Sequence, residues 1–96
     1  MADIITLLCP VDAAPGRGAA LREALKTLAA ATAAEPGNLC YKPHATGDPD
    51  RFIIYEQWRD RAALDRHMAT AHLQKFLADE AGLLAGEPHG QPLDPL

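Results

Sequence analysis

Between Arg51 and Phe76 the chain gathers an acid, its only tryptophan and two histidines: Glu56, Trp58, His67 and His72. Phe52, Ile54, Glu56 and Trp58 alternate, and on a β-strand alternate residues share one face. A carboxylate among apolar and aromatic neighbours on a buried face costs free energy unless it is paired or neutral. Acids found in such places are often there for chemistry, for example as a general base whose pKa burial has raised. The competing role is structural: a strand carboxylate that accepts a hydrogen bond from Trp58, a histidine or the backbone. Trp58 is either a wall on which a flat aromatic ring stacks or the core's one large anchor, and the area it buries favours the core.

His67 and His72 do not have the i, i+4 spacing that puts two ligands on one helix face, and a helix break separates them. No Asp, Glu or Cys completes a recognisable ligand set beside them, so no metal site is expected. His72, at the start of its helix, is the better placed to line a pocket and to orient substrate or shuttle a proton. His67 reads equally well as a solvent-facing or capping residue, and His44 and His89 read as surface. Gly16-Arg17-Gly18 looks like the opening of a phosphate loop, but Leu21 stands where the third glycine would be.

These residues need a scaffold. Ile4 to Val11 is apolar at nearly every position, which suits a strand buried on both faces. Ala13-Ala14-Pro15-Gly16 is a loop signal. From about Ala19 to Ala34, Leu21, Leu25, Leu28 and Thr32 form one helical stripe, with Ala24 and Ala31 beside it, and Pro36-Gly37 stops the helix. Leu39 to His44 is a second strand, Thr46 to Asp50 a hairpin turn, and Arg51 to Arg59 a third strand. Asp60 is a good N-cap for a short helix from Arg61 to about Met68, and Thr70 for another from Ala71 to about Ala81. Leu73, Phe76 and Leu77 face inward on the latter. Four prolines and glycines between Pro88 and Pro95 confine any last strand to a short edge segment. Tyr55, opposite in phase to Glu56, faces the other side of the sheet.

The order strand, helix, strand, strand, helix pair, strand is that of an α+β fold, the ferredoxin-like split βαβ. Its four-stranded antiparallel sheet carries the helices on one face. The 96 residues make one domain, spanning 1–96. Although 48% of the chain is hydrophobic, much of that is alanine and only 5% is aromatic. So thin a core is marginal alone, and burying the bare sheet face against a second copy would relieve the shortage. A homodimer through that face is therefore expected. With net charge −4 and no Lys/Arg cluster, nucleic acid is not an expected partner. Asp3 near the start and Pro10 interrupting the apolar run argue against a secretion signal or a membrane span. Cys9 and Cys40 form no CxxC pair and read as reduced thiols of a cytoplasmic protein.

Taken together, these segments resemble the antibiotic biosynthesis monooxygenase (ABM) domain family. The resemblance is carried by Ala34-Glu-Pro-Gly-Asn-Leu-Cys-Tyr41, Asp50-Arg-Phe-Ile-Ile-Tyr-Glu-Gln-Trp58, Asp60-Arg-Ala-Ala-Leu64, His67-Met-Ala-Thr-Ala-His72 and Phe76. It implies a dimeric α/β-barrel-type assembly and a pocket between helices and sheet. It also implies a monooxygenase that needs no cofactor and acts with O2 on a small electron-rich aromatic such as a hydroquinone or anthrone. Glu56 or His72 would then take a proton, and Trp58 and Phe76 would hold the ring. His67, Phe52, Ile54 and Leu8 would complete the substrate-binding wall. The alternative is a non-catalytic dimer that binds a small apolar ligand. A haem-degrading relative is a further alternative, weakened because the asparagine those relatives carry on the first strand is missing between Ile4 and Val11. Two other departures stand out. Pro43 falls in the second strand, which suggests a local edge distortion, and Ala71 replaces a proline common before the second histidine.

Overall fold

The computed structural model describes residues 3–96. In chain order the elements are β1 (Ile5–Asp12), α1 (Gly18–Ala33), β2 (Asn38–Ala45), β3 (Arg51–Trp58), α2 (Arg61–Met68), α3 (Ala71–Ala78) and β4 (Gln91–Leu93). The strands form one sheet in the order β2-β3-β1-β4, and every neighbouring pair is antiparallel. This is the expected ferredoxin-like α+β fold, and its helices cover one face of the sheet. Among the described residues no helix is long and apolar enough to cross a membrane.

Register decides which side chains meet the helices. Pairing of Cys9 with Ile54 and Val11 with Phe52 places these four on the covered face, where all are buried. Against them lie Leu21, Leu25 and Leu28 of α1 and Leu73 of α3. Thr32 completes the α1 stripe and is fully buried. On the opposite face Thr6, Leu8, Pro10, Ile53 and Tyr55 are only half-buried. The two-sided burial expected of β1 is thus met by this chain on one side.

Each helix start has an identifiable cap. Asp60 accepts from the Ala63 amide at 2.9 Å and Thr70 from the Leu73 amide at 3.4 Å, as the sequence suggests. The first turn of α1 has no cap of its own, since Arg17 supplies no side-chain bond there. Asp50, at the entry to β3, provides it from a distance by accepting from the amides of Gly16 and Gly18 at 3.2 and 3.0 Å. A β-carbon at Gly18 would come within 2.0 Å of the Pro49 carbonyl oxygen, so only glycine lets that turn sit on the helix.

Two expectations shift. Helix α3 ends at Ala78, short of the expected Ala81, because Asp79 turns left-handed with φ 50°. The Asp79 carboxylate then accepts from the amides of Leu83 and Leu84 at 2.7 and 3.0 Å, and a turn replaces the last helical residues. The irregularity expected at Pro43 lies instead at Leu39, between Asn38 and Cys40, and the ladder passes unshifted through Pro43. On the outermost strand a missing amide is tolerated when it would have pointed away from the ladder.

The Thr32 hydroxyl is buried with no hydrogen-bond partner among the described residues, and an unmade bond of this kind is costly. Thr32→Val, which removes the hydroxyl while keeping the shape, should stabilise the fold by about 1–2 kcal/mol in urea unfolding. An unchanged or lower midpoint would mean that the hydroxyl is satisfied in solution.

Candidate functional site

Period-two alternation sets out the floor of the site. Glu56 on β3 pairs with Leu7 of β1 on one side and with Tyr41 of β2 on the other, so the three form a row across the covered face. Trp58, the next residue on that face, is fully buried and donates its indole N–H to Glu56 Oε1 at 3.0 Å. Helix α2 lays His67 over this floor. The imidazole packs on Trp58 with ring centroids 4.5 Å apart and lies 5.4 Å from the ring of Tyr41.

Glu35 holds the two histidines. It lies in the turn after α1, where its own amide reaches the Thr32 carbonyl at 3.0 Å and the Arg59 amide fixes the Gly37 carbonyl at 2.8 Å. Gly37 adopts φ 83°, and a β-carbon there would meet that of Ala63 at 2.6 Å, so glycine is needed both for the turn and for the contact with α2. From this anchor Glu35 Oε2 lies 2.9 Å from His67 Nδ1 and 2.6 Å from His72 Nε2. A carboxylate accepts both bonds when each of those ring nitrogens carries its proton, which leaves the lone pair of a neutral His67 on Nε2.

Between floor and helices lies a cavity of about 80 Å³, lined among others by Leu7, Cys9, Tyr41, Ile54, Glu56, His67 and Phe76. A larger groove of about 520 Å³ runs outside it along α1 and α3, with His72 on its wall and Leu28 and Phe76 shared between the two spaces. The inner cavity is below the roughly 300 Å³ at which small-molecule sites usually begin.

Burial tunes the groups in the cavity wall. Glu56 is raised above the ordinary carboxylate value by burial and by the negative charge of Glu35, against the opposing effect of the Trp58 hydrogen bond. His67 is lowered by burial, although its bond to Glu35 works the other way. Burial, with the nearby Glu56 charge, pushes the Cys9 thiol up to about 11 and raises the Tyr41 phenol far above its normal range. Near neutral pH the thiol and the phenol therefore keep their protons and are poor nucleophiles. Burial thus moves Glu56 and His67 in opposite directions, each toward its neutral form.

The residues singled out from sequence divide. Glu56, His67, Ile54 and Phe76 do line the cavity. His72 does not; it faces the outer groove and meets the site through Glu35. Trp58 lies beneath His67 as a core anchor and as the hydrogen-bond partner of Glu56, not as a wall. Phe52 is at the far end of the sheet, beside Leu25 and Pro43 in a separate small recess. Leu8 pairs with Tyr55 and belongs to the uncovered face, since an unbroken apolar run carries no phase by which to assign its faces. Glu35 and Tyr41 were not anticipated as site residues. Glu35 left one signal: an acid at the negative end of a 16-residue helix with no basic residue in its last turn, a position that needs an external partner. It also supplies the acid that the two histidines lacked in sequence. The donor atoms of Glu35, His67 and His72 lie within 4.8 Å of one another.

Residues 4–79 match the family model described as antibiotic biosynthesis monooxygenase. The chain belongs to this family. Among curated relatives, the Bacillus subtilis protein YcnE, whose name assigns it provisionally as a monooxygenase, is 39% identical over 62 residues. That stretch is 64% of this chain and 60% of YcnE, so the match spans less than two thirds of the relative. A Mycobacterium tuberculosis protein with a similarly provisional name, Rv0793, is 31% identical over 73% of this chain and 69% of its own length. Its solved structure superposes with a TM-score of 0.85 at 26% identity, covering 98% of this chain and 96% of that one. The crystal structure of PA3566 from Pseudomonas aeruginosa agrees with a TM-score of 0.89 at 38% identity, over 100% of this chain and 97% of that one.

The raised pKa of Glu56 has a consequence for stability. A folded-state pKa above the unfolded one means that the native protein holds its proton longer than the unfolded chain. The stability associated with the neutral acid is fully present below the unfolded value and is lost as pH rises through the folded one. Glu56→Gln preserves an acceptor for the indole and removes the charge. Its unfolding midpoint should exceed that of the parent at pH 7–8, and the gain should vanish below about pH 4, where the acid is neutral in both states. A gain independent of pH would contradict the assignment.

Proposed function

We propose that the chain oxidises a small electron-rich aromatic, of hydroquinone or anthrone type, with O2, and that the substrate itself supplies the electrons. The observation that carries the reading is the Glu56 carboxyl group on the wall of an otherwise mostly apolar cavity, in a chain of this family. Glu56 takes a phenolic or benzylic proton, and the resulting anion passes one electron to O2. The radical pair recombines to a peroxide at the same carbon. Loss of water from that peroxide then leaves a carbonyl, so that an anthrone methylene and O2 become a quinone and water. The protein's share is deprotonation, orientation and exclusion of water. Ile54 and Phe76 would flank the ring, and His67 offers a second proton acceptor. A cavity of about 80 Å³ suits a single ring better than a fused system unless Phe76 moves.

Oxygen uptake by metal-stripped protein should exceed autoxidation on at least one member of a panel of hydroquinones, naphthalene-diols and anthrones. Glu56→Gln should lower that rate by about 10²–10⁴-fold, the usual worth of a positioned general base. Saturable binding of the same compounds without uptake, unchanged in Glu56→Gln, would replace the enzyme by a ligand-binding module.

The same reading includes a homodimer through the uncovered sheet face. It is supported by the shallow apolar surface there, formed by Leu8, Ile53 and Tyr55 with Cys40, Lys42 and His44 around it. Sedimentation should give a dimer at micromolar concentration, and Tyr55→Glu should give a folded monomer. A parent protein that sediments as a monomer would remove this part of the proposal.

A further inference from the structure

We propose that Glu35, His67 and His72 form a binding site for one borderline divalent transition-metal ion, of the Zn2+ or Co2+ kind, where α1, α2 and α3 meet. The donors are His67 Nδ1, His72 Nε2 and Glu35 Oε2, which already lie within 4.8 Å of one another. Two imidazole nitrogens and one carboxylate oxygen match the ligand preferences of zinc-like ions. Mg2+ and Ca2+ prefer all-oxygen sites.

Each donor also has support from outside the cluster, as a preformed site requires. Glu35 is fixed by the Pro36-Gly37 turn, with the Arg59 amide on the Gly37 carbonyl. His67 packs against both Trp58 and Tyr41. His72 rides on the first turn of α3, which the Thr70 hydroxyl caps. Side-chain exposure rises from 3% at His67 through 10% at Glu35 to 31% at His72. An ion held there is shielded on the cavity side, and its free coordination position faces the groove.

Local charge favours a cation. Among the described residues no Lys or Arg pairs with Glu35, whose ionic partners are the two imidazoles. A second acid lies within electrostatic reach: Glu56, whose pKa the Glu35 charge raises. A carboxylate this shielded, with no Lys or Arg to pair it, would gain a full countercharge from a divalent ion. Bonds of about 2.0–2.1 Å place tetrahedral donors about 3.3 Å apart. Glu35 Oε2 is 2.9 and 2.6 Å from the two nitrogens, which lie within 4.8 Å of one another, so binding requires the carboxylate oxygen to draw back as the imidazoles adjust around the ion. Coordination through Nδ1 would also move the proton of a neutral His67 to Nε2. Its remaining nitrogen would then be a donor and no longer an acceptor.

Metal-stripped full-length protein should be titrated with Co2+, following the visible band of a low-coordinate ion, and with Zn2+ by equilibrium dialysis. One ion per chain is expected. His72→Ala and Glu35→Gln, each checked for native circular dichroism, should weaken binding at least about tenfold. His89→Ala, which alters an exposed histidine outside the cluster, should bind as the parent does. No saturable binding, or binding that survives His72→Ala and Glu35→Gln, would overturn the proposal and leave the cluster as a hydrogen-bonded one. None of these readouts depends on oxygenase activity, so the two proposals fail separately.

Discussion

Burying Glu56 on the covered face of the sheet is the constraint around which the rest of this structure is arranged. A Lys or Arg partner would have neutralised the cost and pinned the carboxyl in its charged form. The fold supplies the Trp58 indole instead, a neutral donor that satisfies one oxygen and leaves the group responsive to burial. That choice brings others with it. An indole two residues along the same strand must be covered, and His67 covers it. A buried imidazole must be oriented, and Glu35 orients it from the end of α1. Four polar side chains are thus ordered by one another in a region where water cannot do it.

The same dependence explains why loops far from the cavity are so restricted in composition. Glu35 reaches His67 and His72 only if α1 stops where it does and the chain turns sharply at Gly37, with the contact to Ala63 keeping α2 close. The start of α1 is held by Asp50 and by the fit of Gly18 against Pro49. Both ends of α1 are therefore fixed by glycines at close approaches, while its middle is fixed by a leucine stripe. The stripe supplies burial energy but tolerates sliding along the sheet; the ends remove that freedom. Placement of Glu35 to within hydrogen-bond distance is a property of the ends.

How much of this the sequence revealed follows from the range of each interaction. Alternation along β3 is local, so the shared face of Phe52, Ile54, Glu56 and Trp58 could be read directly, as could the caps Asp60 and Thr70. Position along the strand is not contained in the alternation. Phe52 therefore shared a face with Glu56 but not a cavity. Leu8 failed for a related reason: where every residue is apolar, only pairing with a neighbouring strand assigns the face, and that neighbour is Tyr55. Glu35 lies 32 and 37 residues from its partners, and nothing local specifies the contact beyond an acid at an unfavourable helix end. The family pattern included Glu35 without saying what it touches.

The helices over the site are unequal in how firmly they are attached, and this bears on what the cavity can admit. Helix α1 buries a full stripe, whereas α3 is only 8 residues long with Leu73 as its one buried residue. A helix of that length has little stability of its own and depends on its tertiary ties. Beside Leu73, the half-buried Phe76 and Leu77 pack against the core, and the remaining ties are polar: the Thr70 cap, the Asp79 turn and the bond from His72 to Glu35. Phe76, the partition between the cavity of about 80 Å³ and the groove of about 520 Å³, is carried by this helix. The carboxylate that orients His67 on one side therefore also holds, through His72, the helix that limits the size of the cavity. Loss of the Glu35 contacts would loosen both at once, so chemistry at the floor and access from the groove are not independent properties of this fold.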